Sequence, residues 1–119
     1  MISCGVWPTQ ARLVAVVLDD AGRARKPICV PARAAVELLD HLSDLGADIV
    51  LVEKLRVDVG RDVRTRIWIA PLVLVDPIRR AAALSDRASA AMLARLPRIP
   101  ALRSQLHRHA IDMKQLTLL

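Results

Sequence analysis

The sequence contains no phenylalanine and no tyrosine, and its only tryptophans are Trp7 and Trp68. A hydrophobic core must therefore be built from valine, leucine, isoleucine and alanine. That is feasible, because 54% of the 119 residues are apolar. The same shortage removes the aromatic platforms on which single-stranded nucleic acids usually stack. Cysteine is scarce too. Cys4 and Cys29 have no Cys-x-x-Cys spacing and no accompanying histidine cluster, and both lie in apolar, strand-like runs, so both read as buried free thiols. No apolar run approaches the length of a membrane span, and Met1 opens directly into a strand-like segment with nothing resembling a leader peptide. The expectation is a reduced, cytoplasmic protein with no membrane partner.

Lysine is limited to Lys26, Lys54 and Lys114, yet Lys plus Arg outnumber Asp plus Glu by 18 to 12, for a formal charge of +6. The excess is arginine, whose planar fork suits bidentate phosphate contacts. A polyanionic partner is one reading of this balance, and an arginine-rich coding background is the other. The length suits one compact domain.

Three apolar runs open the chain: "MISCGVW", "ARLVAVVLDDAGR" and "KPICVP". Short connections and the turn signal Asp19-Asp20-Ala21-Gly22 predict an antiparallel meander. Residues 32–45 switch to helical spacing, with Leu38, Leu39 and Leu42 on one face and Gly46 as the cap. "DIVLVEK" is a nearly uninterrupted apolar run, as in a strand buried on both faces. Val59, Val63 and Ile67 recur every four residues and predict a short amphipathic helix over 57–68. "PLVLVD" then reads as a fifth strand, Pro77 to Leu96 as a helix, and Ala101 to Leu116 as a last helix. The order β-β-β-α-β-α-β-α-α predicts an α/β fold: a ribonuclease H-like mixed five-stranded sheet, three antiparallel strands followed by crossover helices, with C-terminal helices. Residues 1–96 form the expected domain and 97–119 a helical extension.

Nucleases of this architecture hold divalent metals between converging carboxylates: one on the first strand, one at the end of the fourth, and one or two on a late helix. Here Glu53 ends the fourth strand and Asp86 stands on the late helix. Three residues on, where a second helix acid would share the face, is Ser89. The first strand offers Trp7. Two acids stand where Mg²⁺ chemistry needs three or four.

The segments "GVWPTQARLVAVVLDDAGR", "IVLVEKL", "LVLVDPIR" and "LSDRASAAMLARL" follow the order and spacing of a known domain. The chain resembles the N-terminal RuvC-like domain of the DEDD transposases of bacterial insertion sequences, a family related to Piv-type DNA invertases. The resemblance covers Met1 to Leu96. It implies that Glu53 matches the family's metal-binding Glu and Asp86 the first helix Asp, with Trp7 and Ser89 in place of the other two acids. Glu53 and Asp86 are thus the residual catalytic and metal-ligand candidates. No cofactor is expected, or Mg²⁺ if activity remains.

Arg79, Arg80, Arg87, Arg95 and Arg98 are the candidate nucleic-acid contacts, read against a plain solvated helix face. His107 and His109, two apart, do not share a helix face, and His41 reads as a surface residue. The expected function is a nucleic-acid-binding, catalytically degenerate transposase-type domain of a mobile element, with DNA or structured RNA as partner. Two alternatives stand beside it. One is a weak Mg²⁺-dependent nuclease or recombinase using Glu53 and Asp86, completed by Asp19 or Asp76. The other is a non-catalytic protein that oligomerises through its C-terminal helix.

Overall fold

Strand-length apolar runs with little polar interruption must be covered on both faces, and the structure provides that cover. A computed structural model describes residues 1–53, 55, 57–81 and 85–108. The strands are β1 (Ser3–Pro8), β2 (Arg12–Leu18), β3 (Ile28–Pro31), β4 (Asp48–Val52), β5 (Ile67–Ala70) and β6 (His107–Arg108). They form one sheet in the order β3-β2-β1-β4-β5-β6. β1 pairs antiparallel with β2 and parallel with β4, β2 pairs antiparallel with β3, and β4 is parallel to β5. This mixed α/β arrangement is the expected ribonuclease H-like order, with one addition. The short β6 pairs antiparallel with β5, so the sheet has six strands.

Alternation along each strand sends side chains to two cores. On one face Cys4, Val6, Leu13, Ala15, Val17, Ile49, Leu51, Ile67 and Ile69 meet Leu38, Leu39 and Leu42 of α1 (Ala35–Asp44) and Val63 of α2 (Arg61–Arg64). On the other, Trp7, Val14, Val16, Leu18, Val50, Val52, Trp68 and Ala70 meet Val75 and Ile78 of α3 (Leu72–Arg80). Ala90, Leu93 and Ala94 of α4 (Asp86–Arg95) complete that second core. α1 closes as its spacing predicts. Gly46 takes φ +77°, its N–H donates to the Ser43 carbonyl, and that of Ala47 donates to the Leu42 carbonyl.

Three expected elements differ. "PLVLVD" is not the fifth strand; it is most of α3, and the strand is the preceding Ile67–Ala70. A continuous apolar run cannot distinguish a buried strand from a buried helix by periodicity. Here Pro71 is extended and ends the strand, and Val75 and Ile78, three apart, face the core. Val59, Val63 and Ile67 do share one core, but they reach it from a loop, from α2 and from β5, not from one helix.

The helix expected from Pro77 to Leu96 is two helices, α3 and α4. Ala82, Ala83 and Leu84 lie outside the described residues. The helix expected over 101–116 is, as far as the described residues run, the four-residue α5 (Pro100–Arg103) followed by β6. Cys29 also departs from expectation. It is exposed, because β3 is an edge strand whose residues alternate outward.

α4 crosses β1 at backbone distance. A Cβ on Gly5 would lie 2.6 Å from Leu93 Cβ and 2.7 Å from Ala94 N, and closer still to the Ala90 carbonyl. Gly5→Ala is therefore expected to cost about 3 kcal/mol of unfolding free energy in a urea titration. Gly60→Ala, with no atom within 4 Å, should cost only about 1 kcal/mol or less, from the poorer N-cap of α2.

Burial pushes the Cys4 thiol up to about 12. In a thiol-reagent titration at pH 8, Cys29 should react at once and Cys4 only after denaturation, and Cys29→Ser should remove the fast phase.

Candidate functional site

The direction of α4 decides which residues meet. Ser3 Oγ donates to the Ala94 carbonyl at 2.7 Å, while Gly5 faces Ala90 and Leu93. α4 therefore runs antiparallel to β1 and delivers its N-terminus to the end of the sheet where β1 stops at Pro8. β4 is parallel to β1 and ends there too, just before Glu53. Both candidate acids thus reach the same end of the sheet.

Each of them is placed at the start of a helix. Glu53 Oε2 accepts the Leu72 N–H at 3.1 Å, so this carboxylate caps the otherwise unpaired start of α3. Asp86 is exposed in the first turn of α4, directly after the N-cap Ser85, whose Oγ accepts the Ala88 N–H at 3.2 Å. An acid in a first helical turn is favoured by the helix dipole alone. Its position at the start of the helix, not in its middle, follows from the break between α3 and α4.

Ser89 is buried, as is Trp7, which packs with Val52, Ala90 and Leu93. The Arg79 guanidinium stands 6.0 Å from the centre of the Trp7 ring. The first-strand position at which the resemblance implies an acid thus holds an indole with a cation over it. Asp76 contacts that same Arg79 at 3.9 Å.

Asp19 cannot complete a site. Its neighbour Leu18 pairs with Ser3, at the opposite end of the sheet from Glu53, and its carboxylate accepts the N–H groups of Ala21 and Arg23 in the turn. Among the described residues no group of three or more His, Cys, Asp or Glu side chains is placed to hold a metal ion. This donor set does not fit a pair of Mg²⁺ ions.

The five candidate arginines occupy different places in the fold. Arg79 and Arg80 end α3; Arg87 and Arg95 lie at opposite ends of α4. Arg98 is turned inward. Its Nε donates to Ser3 Oγ at 2.9 Å, and its Nη2 to the carbonyls of Met1 at 2.7 Å, Leu18 at 3.2 Å and Asp19 at 2.6 Å. That guanidinium ties the segment after α4 to the start of β1 and the end of β2.

Arg87 instead lines a groove of about 340 Å³ with Thr9, Arg12, Ser85 and Asp86. Arg12 and Cys29 also line the adjacent groove of about 470 Å³, which contains Arg33. The two grooves share Arg12 and Cys29, and together this trough carries Arg33, Arg12 and Arg87 along the β3 edge. Arg12 and Arg33 carry no signal in helical spacing. Arg12 is set by the turn in which the Thr9 N–H donates to its carbonyl at 2.8 Å, a placement that depends on strand pairing. Elsewhere, Arg108 stacks on Trp68 at 3.6 Å from the ring centre, with Arg103 at 5.7 Å.

His41 is exposed on α1, as expected, and His109, Ala110 and Met113 lie outside the described residues. No helix among the described residues is long and apolar enough to cross a membrane.

Arg98→Ala should lower the unfolding free energy by roughly 2 kcal/mol, because it leaves Ser3 and three carbonyls without their charged donor. Arg87→Ala should change it by less than about 0.5 kcal/mol. Urea titrations of the two variants check this difference.

No family model matches the chain, and no curated protein matches it.

Proposed function

We propose that this protein binds nucleic acid through exposed arginines of the trough, Arg87 with Arg12 and Arg33, and does not cleave it. The observation that carries the reading is the state of the arginines. Among the described residues, the sole arginine–carboxylate ion pair is Arg79 with Asp76. The trough arginines are thus left to a partner, and three guanidinium groups along one surface suit a phosphate backbone. Arg79 and Arg80, at the end of α3, add positive charge near Trp7.

The chain's resemblance to the RuvC-like domain of insertion-sequence transposases supports DNA as the polymer and a role in a mobile element. The loss of catalysis rests on ligand chemistry. Trp7 supplies no oxygen, Ser89 is buried, Glu53 caps α3, and Arg79 places a positive charge at the corner where cations would have to collect.

Titration of a labelled DNA duplex across a salt series tests this reading. Affinity should fall steeply as salt rises. The double variant Arg12→Glu, Arg87→Glu should weaken low-salt binding by about 10-fold or more and flatten the log–log salt slope by about 2. Mg²⁺ should produce no cleavage. An unchanged slope in the double variant, or Mg²⁺-dependent cleavage lost in Glu53→Gln, would refute the proposal.

A further inference from the structure

At the other end of α4 the surface changes character. Val73, Leu74, Pro77 and Ile78 of α3 form one wall of a groove of about 330 Å³. Met92 and Leu96, from α4 and the turn after it, form the second wall, and Ile99 and Leu102 close the end. Its apolar side chains reach water: Val73 is 67% exposed and Ile99 44%, with Leu72 at 39% beside them.

The rim is cationic. Arg95 lines the groove itself, and Arg103 follows its lining residue Leu102. Among the described residues, no carboxylate lines the groove.

We propose that this groove docks an acidic amphipathic helix of a partner protein. The apolar side chains of that helix would enter between α3 and α4, and a carboxylate would meet Arg95. Helix-in-groove recognition needs apolar anchors at helical spacing and a polar rim that sets orientation. The sign of the rim selects the partner. A second copy of the chain, docked symmetrically, would bring Arg95 against Arg95 and one +6 molecule against another. An acidic helix meets neither penalty. The groove lies at the opposite end of α4 from Arg87, so this surface is separate from the trough proposed for nucleic acid and the inference stands without that reading.

The test is fluorescence anisotropy of labelled peptides titrated with the full-length chain. The first probe is a helical peptide of about 15 residues with leucines at helical spacing flanked by glutamates. The second has lysines in place of the glutamates, and the third keeps the glutamates but replaces the leucines by serine.

The first peptide should bind, and the other two should bind at least about 10-fold more weakly. Arg95→Glu should reverse the preference between the first and second. Val73→Ser and Ile99→Ser should each weaken the first by several-fold, with thermal melts confirming that these exposed positions leave the fold intact.

Several results overturn the proposal. No peptide binds, or the first and third bind alike. Sedimentation equilibrium shows self-association that Val73→Ser abolishes, which gives the groove to a second copy. Peptide binding appears only after Ile111, Met113 and Leu116 are all changed to serine, which gives it to the chain's own residues 109–119.

Discussion

The contact between β1 and α4 is the constraint on which the remaining geometry depends. Gly5 carries no side chain, and opposite it the helix presents Ala90 and Ala94, so backbone approaches backbone. Larger residues at these positions would lift the helix off the sheet and expose Trp7, Val16 and Val50 beneath it. The contact also fixes direction. Ser3 bonds the end of α4 and Arg98 locks the segment that follows to Met1, Leu18 and Asp19. With that end pinned, the N-terminus of α4 has one place to go, the end of the sheet where Pro8 and Glu53 lie. Asp86 and Arg87 are delivered there, and Arg95 to the opposite end, by the same packing.

Polar groups contribute to the interior at few points. Both faces of the sheet are closed by aliphatic side chains, and the buried hydroxyl of Ser3 is satisfied by Ala94 and Arg98. Among the described exposed arginines, the fold uses few. This division explains how a chain with a net charge of +6 carries so little internal ion pairing. The core contributes the stability, since surface ion pairs contribute little, and the exposed arginines are left free of that task.

Trp7 shows how one residue changes the chemistry of a whole end of the sheet. An acid at that position would need a cation or a donor. The indole needs apolar neighbours instead, and it finds them in Val52, Ala90 and Leu93, with Arg79 over its face. Among the described residues, the partner of Glu53 is the α3 N-terminus. The two acids that the family resemblance singles out are each accounted for by helix starts: Glu53 caps one and Asp86 lies in the first turn of another.

The mixed α/β class with its three opening strands, the burial of β4 on both faces and α1 with its glycine cap were legible in the sequence. Runs such as "RLVAVVL" and "DIVLV" have no polar side on which they could face water, and the leucine spacing of α1 is unambiguous. The state of "PLVLVD" was not legible. Its composition serves a strand or a helix equally, and what selects the helix is the four-residue strand before it, already matched to β4, together with the distant carboxylate of Glu53.

The fate of each arginine was equally hidden. Arg98 and Arg87 are alike in charge and in local spacing, yet one is consumed by backbone carbonyls from the far end of the chain and the other faces an open groove. Likewise Cys4 and Cys29 sit in similar apolar runs, and only the assignment of one to a central strand and the other to an edge separates a buried thiol from an exposed one. The sequence by itself determined which segments must be buried, because hydrophobic burial depends on composition and period. Only the tertiary structure decided which polar side chains face one another, because that depends on strand order and on the direction in which α4 crosses β1.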